Sequence, residues 1–312
     1  FSYCQEYVDM LRSRRALYDT VQSFRESRVP RGVCVPWKWS VSRTIENRAG
    51  SVNGLYPYST LADPSDMLAR CGLPMGFSDD RVAFLDGDMV NAMSREEIAS
   101  WLKKAVFIDK FAVKRLCELG FEQEIGLSNP KYYEEGCYER FDVPGFDGGC
   151  PGQYVAAYGR NVQDERNKPL LFDKAPGAMA ASHLIGLDKQ PFDGASWLYE
   201  NARGGRVCVL ATAIVPDRNW LYKCRAGQVR AILKWLLRGE DTFAAAPYNV
   251  MPIVLEGESD YIVALVNSSL DGHAVSLDTK LDFTDALTGE RVLLPVPVED
   301  MSIRYLRAKK AR

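Results

Sequence analysis

Asp86, Asp88 and Asp109 are the residues of this chain whose setting points most directly to chemistry. They stand on the turns after two short apolar runs, Val82-Ala83-Phe84-Leu85 and Val106-Phe107-Ile108, each of which suits a strand buried on both faces. In open α/β sheets reactive groups gather on the turns that follow strands. Here those turns supply carboxylates and no Ser or Cys, so the architecture is legible while a nucleophile is missing. A thiol hydrolase would need a Cys on a sharp strand-to-helix turn, in a G-x-C-x-G pattern, with a His to activate it. Cys150, in Gly148-Gly149-Cys150-Pro151-Gly152, comes nearest in composition, but Pro151 follows it directly and no strand leads into it.

Glycoside hydrolysis would need two carboxylates roughly 5–9.5 Å apart across a sugar ring. Glu134, Glu135, Glu139, Asp142 and Asp147 crowd one stretch, and the plain reading of such a run is a solvated acidic loop. Cysteines stand at 4, 34, 71, 117, 137, 150, 208 and 224, none in C-x-x-C spacing, and the histidines are His183 and His273. Structural zinc needs clustered ligands, so neither a metal nor another cofactor is expected. The cysteines read as buried free thiols; Cys137 and Cys150 flank a Gly-rich loop and could pair in an oxidising compartment. Trp37 and Trp39 are two apart and so share one face of an extended segment, and Tyr56 and Tyr58 repeat the spacing. Three readings stand for these four: a satellite core under a long loop, a protein interface, or a platform on which sugar rings stack, with Lys38 and Arg43 suiting the last two.

The elements that position these groups follow from local pattern. Ser94 and Glu97 form a capping box at the start of a helix with Ile98, Trp101 and Leu102 on one stripe. A second helix carries Val113, Leu116 and Cys117 and stops at Gly120. Strand–helix–strand–helix in so short a span predicts a parallel sheet with right-handed crossovers. Val33-Cys34-Val35 predicts a first strand, ahead of a long loop from Trp37 to Tyr58, and residues 64–72 predict a short helix. Residues 129–160 break the alternation and read as an insertion of irregular or hairpin structure. The strand Val207–Ala211 and a helix with Val229, Ile232, Leu233 and Leu236, stopping at Gly239, resume it. An amphipathic helix over 5–28, with Tyr7, Met10, Leu11, Leu17, Tyr18, Val21 and Phe24 on one side, needs a surface to lie on and ends before Pro30. After Pro247 the runs Pro252–Leu255, Tyr261–Asn267, His273–Leu281, Arg291–Val298 and Ser302–Leu306 predict a small antiparallel sandwich. The expected domains are therefore 1–246, α/β, and 247–312, all β.

Over the 312 residues, 46% are hydrophobic and 26% charged, with a formal net charge of −2. That balance excludes a nucleic-acid partner on electrostatic grounds, and no run nears the roughly 20 apolar residues of a membrane helix. The chain opens on Phe1 rather than Met with a helical pattern at once, which reads as a piece of a longer protein. Composition does not separate a cytoplasmic from a periplasmic or secreted location.

The order of patterns "FLDGDMVNAMSREEIASWL…AVFIDKFAVKRLCELGF", "GGRVCVLATAI", "AGQVRAILKWLLRG" and "YIVALVNSSLDGHAVSLD" resembles the C-terminal half of family 42-type β-galactosidases and related glycoside hydrolases, over about residues 28–308. In that family a catalytic (β/α)8 barrel precedes a flavodoxin-like domain, similar to class I glutamine amidotransferases, which mediates trimer formation, and a β-sandwich follows. The resemblance implies a non-catalytic assembly or support module, a homo-oligomer (trimer or dimer), and a barrel with its catalytic carboxylates outside this sequence. It carries over no active-site residue. A free-standing hydrolase or amidotransferase-like enzyme, and a carbohydrate-binding protein using the aromatic loop, are the competing readings.

Overall fold

The computed structural model describes residues 5–36, 66–76, 81–157, 168–212 and 222–310. At its centre is a nine-stranded mixed sheet. Five strands run parallel, in the spatial order Met75–Gly76, Val33–Cys34, Val82–Leu85, Ala105–Ile108 and Arg206–Leu210. Successive side chains of the parallel strands point to opposite faces, and both faces are covered. Phe84, Phe107, Cys208 and Leu210 pack with Val229, Ile232 and Leu233 of the helix Lys223–Leu236. Leu85, Val106, Ile108 and Val209 pack with Ile98, Val113 and Leu116 of the helices Arg95–Trp101 and Lys110–Glu118. Continuous apolar runs such as Val82–Leu85 result from that two-sided burial. The capping box is formed, with Glu97 N–H donating to Ser94 Oγ and Ser94 N–H to Glu97 Oε2.

The remaining four strands, Pro191–Glu200, Met179–Ile185, Tyr138–Phe141 and Gln153–Ala156, extend the sheet antiparallel. The stretch expected to be irregular or hairpin thus contains a hairpin, Tyr138–Phe141 with Gln153–Ala156, and it forms one edge of the main sheet. The hairpin of 179–200 has no counterpart in the expected elements. The Gly-rich loop ahead of Gln153 exists for close approach, since a Cβ on Gly148 (φ +64) would sit 1.9 Å from the carbonyl oxygen of Cys224.

Beyond the helix Lys223–Leu236 the structure is β. A six-stranded antiparallel sheet of Val29–Arg31, Val250–Glu256, Asp260–Asn267, Ser302–Lys309, Phe283–Asp285 and Arg291–Val292 shares one core with a three-stranded sheet of Ala245–Ala246, His273–Leu277 and Val296–Val298. The protein is an α/β structure joined to a β-sandwich-like pair of sheets. Two expected runs are cut short: His273–Leu281 ends at Leu277, and Arg291–Val298 divides into two strands. The leading segment forms two helices, Gln5–Ser13 and Arg15–Ser23, instead of one. Its contact with the sandwich comes through Phe24, buried with its ring 5.6 Å from that of Tyr305, while Leu17 and Tyr18 stay exposed. Arg28 then pairs with Asp260 at 2.8 Å and leads into the strand Val29–Arg31.

Candidate functional site

The parallel strands Val82–Leu85 and Ala105–Ile108 pair in register, Leu85 opposite Ile108, so the next residue of each, Asp86 and Asp109, stand side by side at the C-terminal edge. Each begins a helix. Asp86 Oδ1 accepts from Met89 N–H and Asp109 Oδ1 from Ala112 N–H, both at 2.8 Å. Carboxylates are good N-caps, which is one reason the sequence turns into helix at these two points. Both are buried, at 5% and 4% exposure, and Asp86 Oδ2 is enclosed with no hydrogen-bond partner. Burial raises Asp109 to about 8, and the adjacent Asp86 adds to the rise. Burial likewise raises Asp86 to about 6 against the pull of its cap bond from Met89. Two such carboxyls titrate as a pair that holds a proton near neutral pH. Lys110, also buried, donates from Nζ to the Lys168 carbonyl at 2.6 Å, and its charge works against the rise at Asp109. Asp88, third of the sequence candidates, is half-buried in the first turn of the helix Gly87–Ala92.

A proton donor is therefore present, and the thiols do not complement it. Burial pushes Cys71 and Cys137 up to about 12 and Cys117 to about 11, and it raises Cys208 and Cys224 as well. These are small core hydrophobes. Cys137 and Cys150 are both free and belong to different apolar clusters, which corrects the pairing considered from sequence. Cys150 lies in a turn, its N–H bonded to Asp147 O, with the strand Gln153–Ala156 after it.

The acidic stretch also resolves into separate partners. Glu139 is fully buried against Arg225, whose Nη1 lies 2.9 Å from Glu139 Oε1 and whose Nη2 binds Oε2. Ser182 Oγ donates to Glu139 at 2.5 Å, and Gln228 accepts from Arg225 and donates to Ala181 O. This network fastens the helix Lys223–Leu236 to the antiparallel half of the sheet. On the opposite face Asp142 binds His183 Nδ1 at 2.7 Å and Arg140 Nε at 2.8 Å. Partial burial works against ionisation of Asp142, yet those two bonds hold it below the ordinary carboxylate range. Glu134 pairs with Lys168, Glu135 accepts from Tyr133, and Asp147 accepts from Gly149 N–H. The solvated-loop reading fails for Glu139 and Asp142, because the hairpin that carries them is part of the sheet. A Ser–His contact does occur, Ser269 Oγ to His273 Nε2 at 3.0 Å, but Ser269 Oγ is engaged by Asn267 and Asp271 and holds the turn. Trp37, Trp39, Tyr56 and Tyr58, with Lys38 and Arg43, lie outside the described residues.

Sequence reasoning missed the Glu139–Arg225–Gln228 network. Its signal was Arg225 and Gln228 three apart on the face that also carries Val229 and Ile232.

No protein-family model matches the chain, and no curated protein does. Solved structures do match. The chain is similar to Gan42B, a GH42 β-galactosidase from G. stearothermophilus, at 11% identity and a TM-score of 0.55, over 89% of this chain and 40% of that one. It is similar to the β-galactosidase of Bacillus circulans sp. alkalophilus at 13% identity and a TM-score of 0.56, over 88% and 41%. It is also similar to α-L-fucosidase isoenzyme 2 from Paenibacillus thiaminolyticus at 10% identity and a TM-score of 0.61, over 95% and 51%. The fold is one found within glycoside hydrolases. At these identities the likeness extends to the fold alone, and the chain spans about 40% of the β-galactosidases it matches.

Proposed function

We propose that this chain is a non-catalytic assembly or support module of a β-galactosidase-like glycoside hydrolase whose catalytic barrel lies outside this sequence. In this reading residues 1–246 are a flavodoxin-like domain akin to class I glutamine amidotransferases, residues 247–312 are the β-sandwich, and the module forms a homo-oligomer, trimer or dimer. The observation that carries it is the asymmetry of coverage: nearly nine-tenths of this chain overlays two-fifths of each β-galactosidase. The purified chain should hydrolyse neither p-nitrophenyl-β-galactoside nor glutamine. Turnover well above background, abolished by a point substitution in this chain, overturns the reading. Trp37→Ala with Trp39→Ala should shift the sedimenting species toward monomer with the fold retained. Unchanged mass with loss of glycan-array binding favours carbohydrate recognition, and unfolding places the pair in a core.

A second reading, a free-standing hydrolase, draws on one observation, the paired carboxyls at the C-terminal sheet edge. Were it right, Asp86→Asn or Asp109→Asn would abolish whatever turnover the chain shows.

A further inference from the structure

Cys150 and Cys224 come from distant parts of the sequence and meet at the edge of the main sheet. Cys150 stands in the turn that closes the hairpin of Tyr138–Phe141 and Gln153–Ala156. Backbone bonds hold that turn: Cys150 N–H to Asp147 O at 3.1 Å, Gln153 N–H to Cys150 O at 3.1 Å, and Gly152 N–H to Phe141 O at 2.7 Å. Cys224 lies in the first turn of the helix Lys223–Leu236. The two backbones touch. A Cβ on Gly148 would lie 2.8 Å from Cys224 Cα, and a Cβ on Gly227 would run into the Gly148 carbonyl. Cys150 is two residues from Gly148, at most about 7 Å of chain, and it packs against the apolar cluster of Phe141, Val155 and Cys224. A disulfide spans Cα atoms about 4.4–6.8 Å apart, so a bridge here asks for adjustment of the turn alone.

The two thiols differ in exposure, and that difference orders their chemistry. Cys150 is part-exposed, whereas Cys224 is buried, at 2%. A dissolved oxidant therefore meets Cys150 first and leaves Cys224 as the resolving thiol. Burial raises Cys224, while the Arg225 guanidinium and the N–H groups of Arg225 and Cys224 pull the other way. Such donors favour a thiolate at a helix start, a setting in which cysteines react. A charge on Cys150 also raises Cys224, which places the two within electrostatic reach of each other. Cys137 is no rival partner. It belongs to another cluster, and burial, with the charge of Glu139 added, pushes it up to about 12.

We propose that Cys150 and Cys224 are a redox pair that closes to a disulfide and pins the hairpin edge of the sheet to the helix Lys223–Leu236. The oxidant is a small disulfide of the glutathione class. The Cys150 thiolate attacks one of its sulfurs, forming a mixed disulfide and releasing one small thiol. The Cys224 thiolate then attacks Cys150 Sγ; the protein S–S bond forms, the mixed bond breaks and the second small thiol leaves. Two protein thiols are oxidised, one small disulfide is reduced to two thiols, and the two protein protons end on them. Closing a long loop restricts the unfolded chain, so the oxidised form should resist urea better. The proposal is independent of the module reading. It is tested by incubating the reduced, folded chain with oxidised glutathione, then taking the intact mass and a non-reducing peptide map. The expected product has lost two hydrogens, carries no glutathione and yields one peptide pair joined through Cys150 and Cys224. Its urea midpoint should rise, and should fall back on addition of dithiothreitol. Cys224→Ala should stop at the glutathione adduct of Cys150, and Cys150→Ser should leave the midpoint indifferent to the oxidant. A wild-type chain that keeps glutathione on Cys150, joins Cys150 to any other cysteine, or leaves both thiols reduced overturns the proposal. The map is read on the wild-type chain, so a variant that fails to fold does not blunt the test.

Discussion

Asp109→Asn separates the electrostatics of the buried carboxyl pair from its capping role. Asp109 Oδ1 accepts from Ala112 N–H at 2.8 Å, and the carbonyl oxygen of Asn can keep that bond. Burial, with Asp86 beside it, raises Asp109 from 3.8 to about 8. The folded state therefore holds a proton that the unfolded chain has already released. The stability this confers is fully present below about pH 4 and is lost as pH rises toward 8, where Asp109 must carry a buried charge. At about 1.4 kcal/mol per pH unit the ceiling on that loss is about 6 kcal/mol. Asp86 titrates in the same interval and shares the proton, so a loss of about 2–4 kcal/mol between pH 5 and pH 8 is the working expectation. Asn never ionises. Urea denaturation at pH 5, 6.5 and 8 should find the variant within about 1 kcal/mol of wild type at pH 5, where both side chains are neutral. At pH 8 it should be more stable than wild type by about 2 kcal/mol or more. Titrating groups outside the pair cancel in the difference between the two proteins. A difference that stays constant from pH 5 to pH 8, or a variant that loses ground as pH rises, refutes the assignment of a shared proton to this pair.

Arg225→Met strands Glu139 as a buried charge and should cost about 3–5 kcal/mol in urea denaturation, while Arg225→Met with Glu139→Leu should recover most of it. A single variant within 1 kcal/mol of wild type would show that the network of Ser182, Gln228 and Arg225 does not hold the helix to the sheet. Gly148→Ala forces a Cβ into the Cys224 carbonyl from a left-handed backbone, whereas Gly149 (φ +74) has open space around it. The first should lose about 3 kcal/mol or more and the second about 1 kcal/mol, compared by thermal or urea midpoints. Cys34, Cys71, Cys137, Cys208 and Cys224 are buried, so Ellman's reagent should reach them only after unfolding, and rapid labelling of any of these five in the native protein would contradict the core packing.

What the sequence disclosed depended on whether a signal was local. The capping box at Ser94 and Glu97, the two-sided burial of Val82–Leu85 and the helix stripe of Val229, Ile232 and Leu233 each need a few neighbouring residues, and all three are present in the structure. The hairpin of 179–200 was hidden because its inward positions are not uniformly apolar. Ser182 and Ser196 are fully buried in it, and the second strand opens with Pro191 and carries Gly194. Glu139 and Arg225 look like surface residues in sequence. They are 86 positions apart, and the sheet order alone brings them together.

The carboxyl pair at the C-terminal edge of the parallel strands is accounted for as scaffold, because each carboxylate has its own helix to cap: Asp86 begins Gly87–Ala92 and Asp109 begins Lys110–Glu118. Supply matches demand there, and the raised acidity constants follow from burying two caps side by side without any ligand being required. Asp86→Asn should therefore flatten the pH dependence of stability in the same direction as Asp109→Asn, because either change removes one member of the pair that shares the proton. A variant of Asp86 that keeps the wild-type pH dependence in urea denaturation would mean that the two carboxyls do not titrate together.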